Sequence, residues 1–182
     1  MKSDFDLIVH EICDKEIKVY PIADVHFGAL EHDTQAWTKF CAKVASEPNS
    51  YIILAGDLIN NNTRSSVGSP WDDRVRPREQ KRMMVEFLEP LREKILCCVS
   101  GNHERRSIKD ADDDPTYDIM TKLDLEEIYR QNTAFMKKGE LITGILKFAK
   151  RVRSDYRCGF SFKNVVIYNL FYKISHHRIK TV

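Results

Sequence analysis

Residues 99–104 read Val99-Ser100-Gly101-Asn102-His103-Glu104, and they close the short apolar run Ile95-Leu96-Cys97-Cys98-Val99. Such a run is too short for a helix and predicts a buried strand. Gly101 allows a sharp turn or a close approach of the backbone to a ligand. Ligands of open α/β sheets bind beyond the carboxyl ends of the strands, so the amide, imidazole and carboxylate that follow Gly101 are candidates for a site.

Two further apolar runs end in the same kinds of side chain. Residues 17–23 are followed by Asp24-Val25-His26, and residues 51–55 are followed by Gly56-Asp57. All three runs therefore end in groups that commonly bind metals. This repetition is hard to obtain by chance, so the three segments together predict a metal site.

Five side chains of these segments suit a site for two metal ions. Asp24 and His26 lie two positions apart on an extended segment, so both face the same side and can chelate one ion. Asp57 can bridge that ion to a second one, to which Asn102 offers a carbonyl oxygen. Two ions about 3.5–4 Å apart hold a hydroxide and clamp the oxygens of an in-line displacement. His103 is placed to donate a proton or a hydrogen bond to a phosphoryl oxygen or leaving group. In an alternative arrangement, Asp24 orients His26 from outside the metal's own ligands.

The motifs resemble those of the calcineurin-like metallophosphoesterase superfamily over roughly residues 5–135. The family pattern is Asp-x-His, Gly-Asp, and Gly-Asn-His followed by Asp or Glu, each after a strand. The resemblance implies an α/β fold, namely a metallophosphoesterase-like β-sandwich of mixed sheets flanked by helices in the layer order α/β/β/α, incomplete at the C-terminus if the chain is truncated.

The resemblance also implies an activity, the metal-dependent hydrolysis of phosphate mono- or diesters. By this likeness Asp24 and His26 bind one metal ion, Asp57 bridges the two ions, Asn102 binds the other ion, and His103 is the catalytic histidine. The implied cofactors are two divalent metal ions, with Mn²⁺ preferred and Fe or Zn as alternatives.

Two downstream motifs of the family, a single His and a Gly-His-x-His, are not recognisable. The later histidines are His176 and His177, and one of them can fill the single-His role because it follows the apolar residues 165–170. The shorter ligand set keeps a second function open, that of a catalytically impaired binding or scaffold protein with the same fold.

The superfamily acts on nucleic acids, nucleotides and phosphoproteins, and no residue in this chain chooses between them. Arginines near the motif loops fit any phosphate-rich ligand and slightly favour a nucleic acid or a nucleotide. They are Arg64, Arg74, Arg105 and Arg106.

Charge divides the chain into a core at residues 1–136 and a basic segment at residues 137–182. Eleven basic and two acidic residues give the basic segment +9, which leaves −7 for the core of a chain with a net charge of +2. Three hypotheses fit the basic segment: a truncated or out-of-frame end, a nucleic-acid-binding extension, or ordinary strands that complete the second sheet.

Alternating strands and helices predict a single domain with a parallel sheet. A strand at residues 6–13 and the turn Asp14-Lys15 predict a hairpin with the strand at residues 17–23. His10 is interpreted as a hydrogen-bonded or edge-exposed strand residue and not as a ligand.

Three helices follow from apolar stripes and from capping residues. They begin near Asp33 or Thr34, at Pro77, and at Pro115 behind the cap Asp114, and the third runs to about Asn132. The expected core positions are Trp37, Phe40, Cys41, Val44, Met84, Phe87, Leu88, Leu91, Ile119, Met120, Leu123 and Ile128.

The long loop at residues 57–73 is of a length that is usually functional or mobile. Asn60, Asn61 and Asn62 are interpreted as solvated turn residues. Trp71 is the unexplained residue of this loop, because no helical or strand period accounts for it.

Composition points to a cytoplasmic protein that does not associate with membranes. No apolar run approaches the ~18–20 residues that span a bilayer, and the N-terminus lacks the apolar stretch of a secretory signal. The odd number of cysteines, five, predicts buried thiols in a reducing compartment. No residue pattern indicates an oligomeric state.

Overall fold

The computed structural model of the chain describes residues 2–12, 16–138, 141–146 and 165–167. Its strands and α-helices in chain order are β1 (Ile8–His10), β2 (Ile17–Ile22), α1 (Thr34–Ser46), β3 (Ser50–Leu54), α2 (Pro77–Leu88), β4 (Ile95–Val99), α3 (Glu104–Ala111), α4 (Pro115–Lys122), β5 (Tyr129–Arg130), β6 (Thr133–Lys138), β7 (Leu141–Leu146) and β8 (Val165–Ile167). Two 3-10 helices cover Glu89–Lys94 and Glu126–Ile128.

The strands form two sheets. The first sheet has the order β5-β4-β3-β2-β8, and all of its neighbouring strands are parallel. The second sheet has the order β1-β6-β7, in which β1 and β6 are parallel and β6 and β7 are antiparallel. The carboxyl ends of β2, β3 and β4 therefore lie side by side at one edge of the first sheet.

Strand residues alternate between two hydrophobic cores, one on each face of the first sheet. Tyr20 and Leu54 face the helices, whereas Val19 and Ile53 face the second sheet. The described residues thus form three layers, with helices, the first sheet and the second sheet in that order. This arrangement confirms the predicted mixed α/β fold, in which helices flank a parallel sheet that packs on a second, mixed sheet.

The helices carry the stripes and caps that the sequence predicts. The buried residues of α1 are Trp37, Phe40, Cys41 and Val44. The backbone N–H of Ala36 donates to the Asp33 carboxylate at 2.9 Å, so Asp33 is the cap of this helix. Asp114 accepts from two N–H groups at the start of α4. After Leu88, α2 gives way to the 3-10 helix that contains Pro90, which cannot donate an α-helical hydrogen bond.

The predicted hairpin of β1 and β2 is wrong. β1 pairs with β6 in the second sheet, and Ile8 lies opposite Met136. The turn predicted at Asp14-Lys15 does not decide the pairing, because pairing with β6 buries Ile8 and Met136 in the core between the sheets. His10 is hydrogen-bonded, as predicted, since its Nε2 atom lies 2.6 Å from the carbonyl oxygen of Leu96. Leu96 is the residue that the β3–β4 pairing skips, which marks a β-bulge.

The third predicted helix is shorter in the structure, and an unpredicted helix precedes it. α3 occupies the residues directly after the Asn102-His103 motif, where no helix is predicted, and α4 ends at Lys122, well before Asn132. α3 has no long apolar stripe, and its buried residues, Glu104 and Ser107, are polar. Apolar periodicity therefore gives no sign of this helix.

Several predictions fall on residues outside the described part of the chain. Cys13, Cys158, His176 and His177 are among them. The division of the chain at residue 137 stays a prediction, because β6 crosses that position and few of the later residues are described. Strand β7 extends the second sheet, whereas β8 extends the first sheet. None of the described helices has the length and apolarity that crossing a bilayer requires.

Cys41 and Cys97 should resist alkylation in the folded protein. Burial raises the pKa of the Cys41 thiol to about 12 and also raises the pKa of Cys97. The unfolded chain therefore loses these protons first, and the stability that depends on the neutral thiols falls as the pH rises above the ordinary thiol value. With iodoacetamide at pH 8 and peptide mapping, both residues should stay unmodified until urea unfolds the chain. Labelling at the rate of an exposed thiol would contradict their placement.

Candidate metal centre

Three of the predicted ligands meet in space beyond the ends of β2 and β3. Asp24, His26 and Asp57 each offer one ligand atom, and these atoms all lie within 4.8 Å of one another. β2 and β3 are parallel neighbours, so the segments that leave their carboxyl ends are adjacent. The sheet topology therefore brings together residues that are 33 positions apart in the sequence.

The backbone at these three residues takes a left-handed conformation. The φ angles are 55° at Asp24, 47° at His26 and 52° at Asp57. Such angles cost roughly 1–2 kcal/mol each for a residue with a side chain, and they persist only where the surroundings impose them. Here the two segments hold each other, because Asp24 N–H donates to the Gly56 carbonyl and His26 N–H donates to the Asp57 carbonyl at 2.9 Å.

The donor set fits a divalent metal ion. Two carboxylates and one imidazole suit Mn²⁺, Fe or Zn. Nδ1 of His26 is buried and has no hydrogen-bond partner among the described residues. Nε2 of His26 lies 3.6 Å from Oδ1 of Asp24, which is too long for a hydrogen bond. This geometry favours the arrangement in which both residues are ligands over the one in which Asp24 only orients His26.

The segment that carries Asn102 lies against Asp57. The backbone N–H of His103 donates to Oδ1 of Asp57 at 2.9 Å. Asn102 itself is exposed at the start of this segment. The third predicted motif therefore reaches the same place as the first two.

Gly101 is required where these two loops touch. A Cβ atom at this position would overlap Oδ1 and the backbone nitrogen of Asp57, and it would also meet the carboxylate of Glu104. The close approach that the sequence suggests for Gly101 is therefore to the protein's own Asp57. Any larger residue must push the two loops apart.

Glu104 holds the loops together from below the site. Its carboxylate is fully buried and accepts the backbone N–H groups of Gly101 at 2.9 Å, Asp57 at 3.1 Å and Ile59 at 3.2 Å. Hydrogen bonds to a charged acceptor are roughly twice as strong as neutral ones. The sequence places Glu104 in the motif but does not reveal this role, since nothing in the pattern shows that the carboxylate points inward.

His103 has one defined tautomer. Its Nδ1 atom lies 2.7 Å from the carbonyl oxygen of Asn60, which can only accept, so Nδ1 carries the proton. Its Nε2 atom lies 3.1 Å from Nη2 of Arg106, which can only donate, so Nε2 is the acceptor. Burial, and then the nearby His26, lowers the pKa of His103 to about 4. The rings of His26 and His103 meet edge to face with centroids 4.3 Å apart.

The three asparagines at 60–62 are buried, which corrects the prediction that they are solvated. Nδ2 of Asn60 and Nδ2 of Asn62 both donate to Oδ1 of Asp73, at 2.7 and 2.9 Å. Asn61 donates from Nδ2 to the carbonyl oxygen of His103 at 2.8 Å and from its backbone N–H to Gln80. Their polarity serves hydrogen bonds within the fold, a use that composition alone cannot distinguish from solvation.

Arg106 is the one of the four predicted arginines that contacts His103. Its guanidinium also donates to Oδ1 of Asn62 at 3.0 Å and to Oγ of Ser66 at 3.3 Å. Arg105 donates instead to the carbonyl oxygen of Gln131, while Arg64 and Arg74 are exposed. Arg106 therefore supplies fixed positive charge beside the candidate catalytic histidine.

A family model for calcineurin-like phosphoesterases matches residues 17–171, which is most of the chain. No curated protein and no solved structure shows a match. The matched region contains all three motifs and every element from β2 to β8.

Replacing Gly101 by alanine should weaken metal binding about 10- to 100-fold, as is typical when a group that supports a ligand is changed. The added methyl group must displace Asp57, whose carboxylate belongs to the cluster. Gly68→Ala is the matched control, because a Cβ atom there meets only the side chain of Asn62, at 3.0 Å. Calorimetric titration with Mn²⁺ measures the affinities. Equal affinities for the two variants would contradict the close approach.

Replacing Glu104 by glutamine should lower the free energy of unfolding by about 1–3 kcal/mol, because the amide NH₂ would face a backbone N–H. Asp110→Asn in the same helix is the control. Asp110 is exposed and accepts two hydroxyl groups, which an amide oxygen can also accept. Urea unfolding compares the two variants. A Glu104→Gln protein as stable as the control would show that the buried carboxylate does not hold the loops.

Proposed function

The chain belongs to the calcineurin-like phosphoesterase family, and we propose that it hydrolyses phosphate mono- or diesters with the help of two divalent metal ions. In this proposal Asp24 and His26 bind one ion, Asp57 bridges both, and Asn102 binds the second. His103 is the catalytic residue. Mn²⁺ is the preferred ion, with Fe or Zn as alternatives, and the cytoplasm is the proposed location.

One observation carries the proposal. The ligand atoms of Asp24, His26 and Asp57 lie within 4.8 Å of one another, and the imidazole of His103 lies against this cluster. Two carboxylates converge here on an imidazole whose Nδ1 has no hydrogen-bond partner among the described residues. This combination is typical of a site that binds a cation.

When bound, metal ions of this kind lower the pKa of a water molecule and stabilise the charge that develops on a phosphoryl group. The protein's own groups have three tasks. Nδ1–H of His103 donates to the backbone carbonyl oxygen of Asn60, which fixes the ring with Nε2 unprotonated. Nε2 takes up a proton from solvent and donates it to the leaving-group oxygen. Arg106 attracts the negative phosphoryl oxygens toward Nε2. Glu104 holds the loops that carry Asp57 and His103 in fixed positions relative to each other.

The substrate is proposed to be a nucleotide or a nucleic acid. Arg106 is held beside His103, and exposed arginines lie further along the adjoining loop, at Arg64 and Arg74. Positive charge of this kind binds phosphates regardless of sequence. A phosphoprotein is the competing substrate class.

The alternative function is a binding or scaffold protein that keeps the fold but does not hydrolyse esters. It is motivated by the two family motifs that cannot be recognised downstream. The number of metal ions bound to each chain distinguishes the two functions, because the hydrolase as proposed requires two ions and an impaired site would hold fewer.

The experiment combines a metal count with hydrolysis of p-nitrophenyl phosphate and bis-p-nitrophenyl phosphate in Mn²⁺. We expect two ions per chain and measurable turnover. His103→Ala should lower kcat about 10²- to 10⁴-fold, the usual contribution of general acid–base catalysis, and should leave the metal count unchanged. Asp57→Asn should lower both kcat and the metal count.

Asp110→Asn is again the control and should behave like the parent protein. Turnover that is unaffected by both His103→Ala and Asp57→Asn would refute the enzyme as proposed. Fewer than two ions together with no turnover would instead favour the scaffold protein.

A further inference from the structure

We propose that Trp71 is a stacking surface for a nucleobase of the substrate. The inference rests on the proposed function, because it takes the phosphate of the same substrate to be bound at the metal centre. It adds to that function by identifying the other part of the substrate, a nucleobase, that the protein would bind.

Trp71 is exposed without a structural reason. Its relative exposure is 72%, whereas Trp37, the other tryptophan of the chain, is 1% exposed in the core. Trp71 lies in the long loop between β3 and α2, where no helical or strand period applies. Leaving a large indole in water forgoes the free energy that its burial would supply.

The indole is nevertheless held in place. The guanidinium carbon of Arg76 lies 3.7 Å from the centroid of the Trp71 ring, so one face of the ring is covered by a cation–π contact. The backbone N–H of Trp71 donates to Oγ of Ser69 at 3.2 Å. A flat aromatic ring with one face backed by a cation, and with most of its surface exposed, can accept a second flat ring without rearranging.

Hydrogen bonds attach this part of the loop to the metal centre at two points. Nδ2 of Asn60 donates to the carboxylate of Asp73, and Nδ1 of His103 donates to the backbone carbonyl oxygen of Asn60. The backbone N–H of Arg74 donates at 2.9 Å to the carbonyl oxygen of Gly28, two residues after His26. Trp71 is two residues from Asp73, a span of at most about 7 Å along the backbone. Trp71 therefore lies on a loop that is attached to the site close by in the chain.

Charge around the indole favours a nucleotide over an uncharged aromatic ligand. Arg74, Arg76 and Arg78 are exposed on the same segment, next to the single exposed acid Asp72. Aromatic side chains combined with basic groups are the usual surface for single-stranded nucleic acid, because every base has a face that can stack. The combination predicts preference for a base-bearing phosphate ester without strong preference among the bases.

The test compares adenosine 5′-monophosphate with ribose 5-phosphate, which carry the same phosphate and differ by the base. Binding is measured in Mn²⁺ with the His103→Ala protein, so that the ligand is not consumed. We expect adenosine 5′-monophosphate to bind about tenfold more tightly and to quench tryptophan fluorescence. Quenching reports on Trp71, because Trp37 is buried.

Three variants isolate the ring, each made in the His103→Ala protein. Trp71→Ala should remove the tenfold preference and the quenching, and Trp71→Phe should keep most of the preference. Val67→Ala, at a fully exposed apolar position of the same loop, should change neither. Equal binding of the two phosphates, or a preference that survives Trp71→Ala, would overturn the proposal.

Adenosine and ribose differ by the base and carry no phosphate, so comparing their binding tests the stacking surface independently of phosphate-ester hydrolysis. Quenching by adenosine that depends on Trp71, in a protein that hydrolyses no phosphate ester, would support the stacking surface and contradict the hydrolase. Normal hydrolysis with no effect of the base on binding would overturn the stacking surface alone.

Discussion

The buried carboxylate of Glu104 is the interaction on which the arrangement of the site depends. It satisfies backbone N–H groups at the ends of two different loops, those that follow β3 and β4. Without such an acceptor, these donors would lie unpaired in the interior at a high cost in free energy. Beside these bonds, the backbone N–H of His103 donates to Oδ1 of Asp57. Glu104 therefore supports both the packing of the loops and the position of Asp57 against His103.

The metal centre concentrates conformational strain. Asp24, His26 and Asp57 all have left-handed backbones, a conformation that favours glycine, yet each carries a side chain that could hold a metal ion. Hydrogen bonds between the two loops hold these conformations in place, and the strands beneath them are almost completely buried. The stable part of the molecule thus maintains an unfavourable local geometry, which is the usual relation between a scaffold and a site.

The sequence predicted the fold well where buried side chains recur at the spacing of a helix or a strand. The stripe of α1, the caps at Asp33 and Asp114, and the three strands that precede the motifs all follow from such signals. Predictions failed where distant contacts decide the structure. β1 pairs with β6 and not with the adjacent strand β2. The buried residues of α3 are polar. Asn60 to Asn62 are buried and hydrogen-bonded to Asp73, Gln80 and His103. For the site, the motif residues were predictable, but the roles of Glu104 and Arg106 depend on directions of side chains that a sequence does not show.

The pairing of β1 with β6 constrains the order in which the molecule assembles. Ile8 and Met136 are neighbours in the second sheet but are separated by most of the chain. On the ribosome, β1 must wait until β6 has been synthesised. Strands β2 to β5 and the helices between them precede β6, so they can form beforehand while β1 stays unpaired. Contacts between such distant residues slow folding because the intervening loop must be closed first. The sandwich is therefore expected to close late, after β2, β3 and β4, which precede the three motifs, are already side by side.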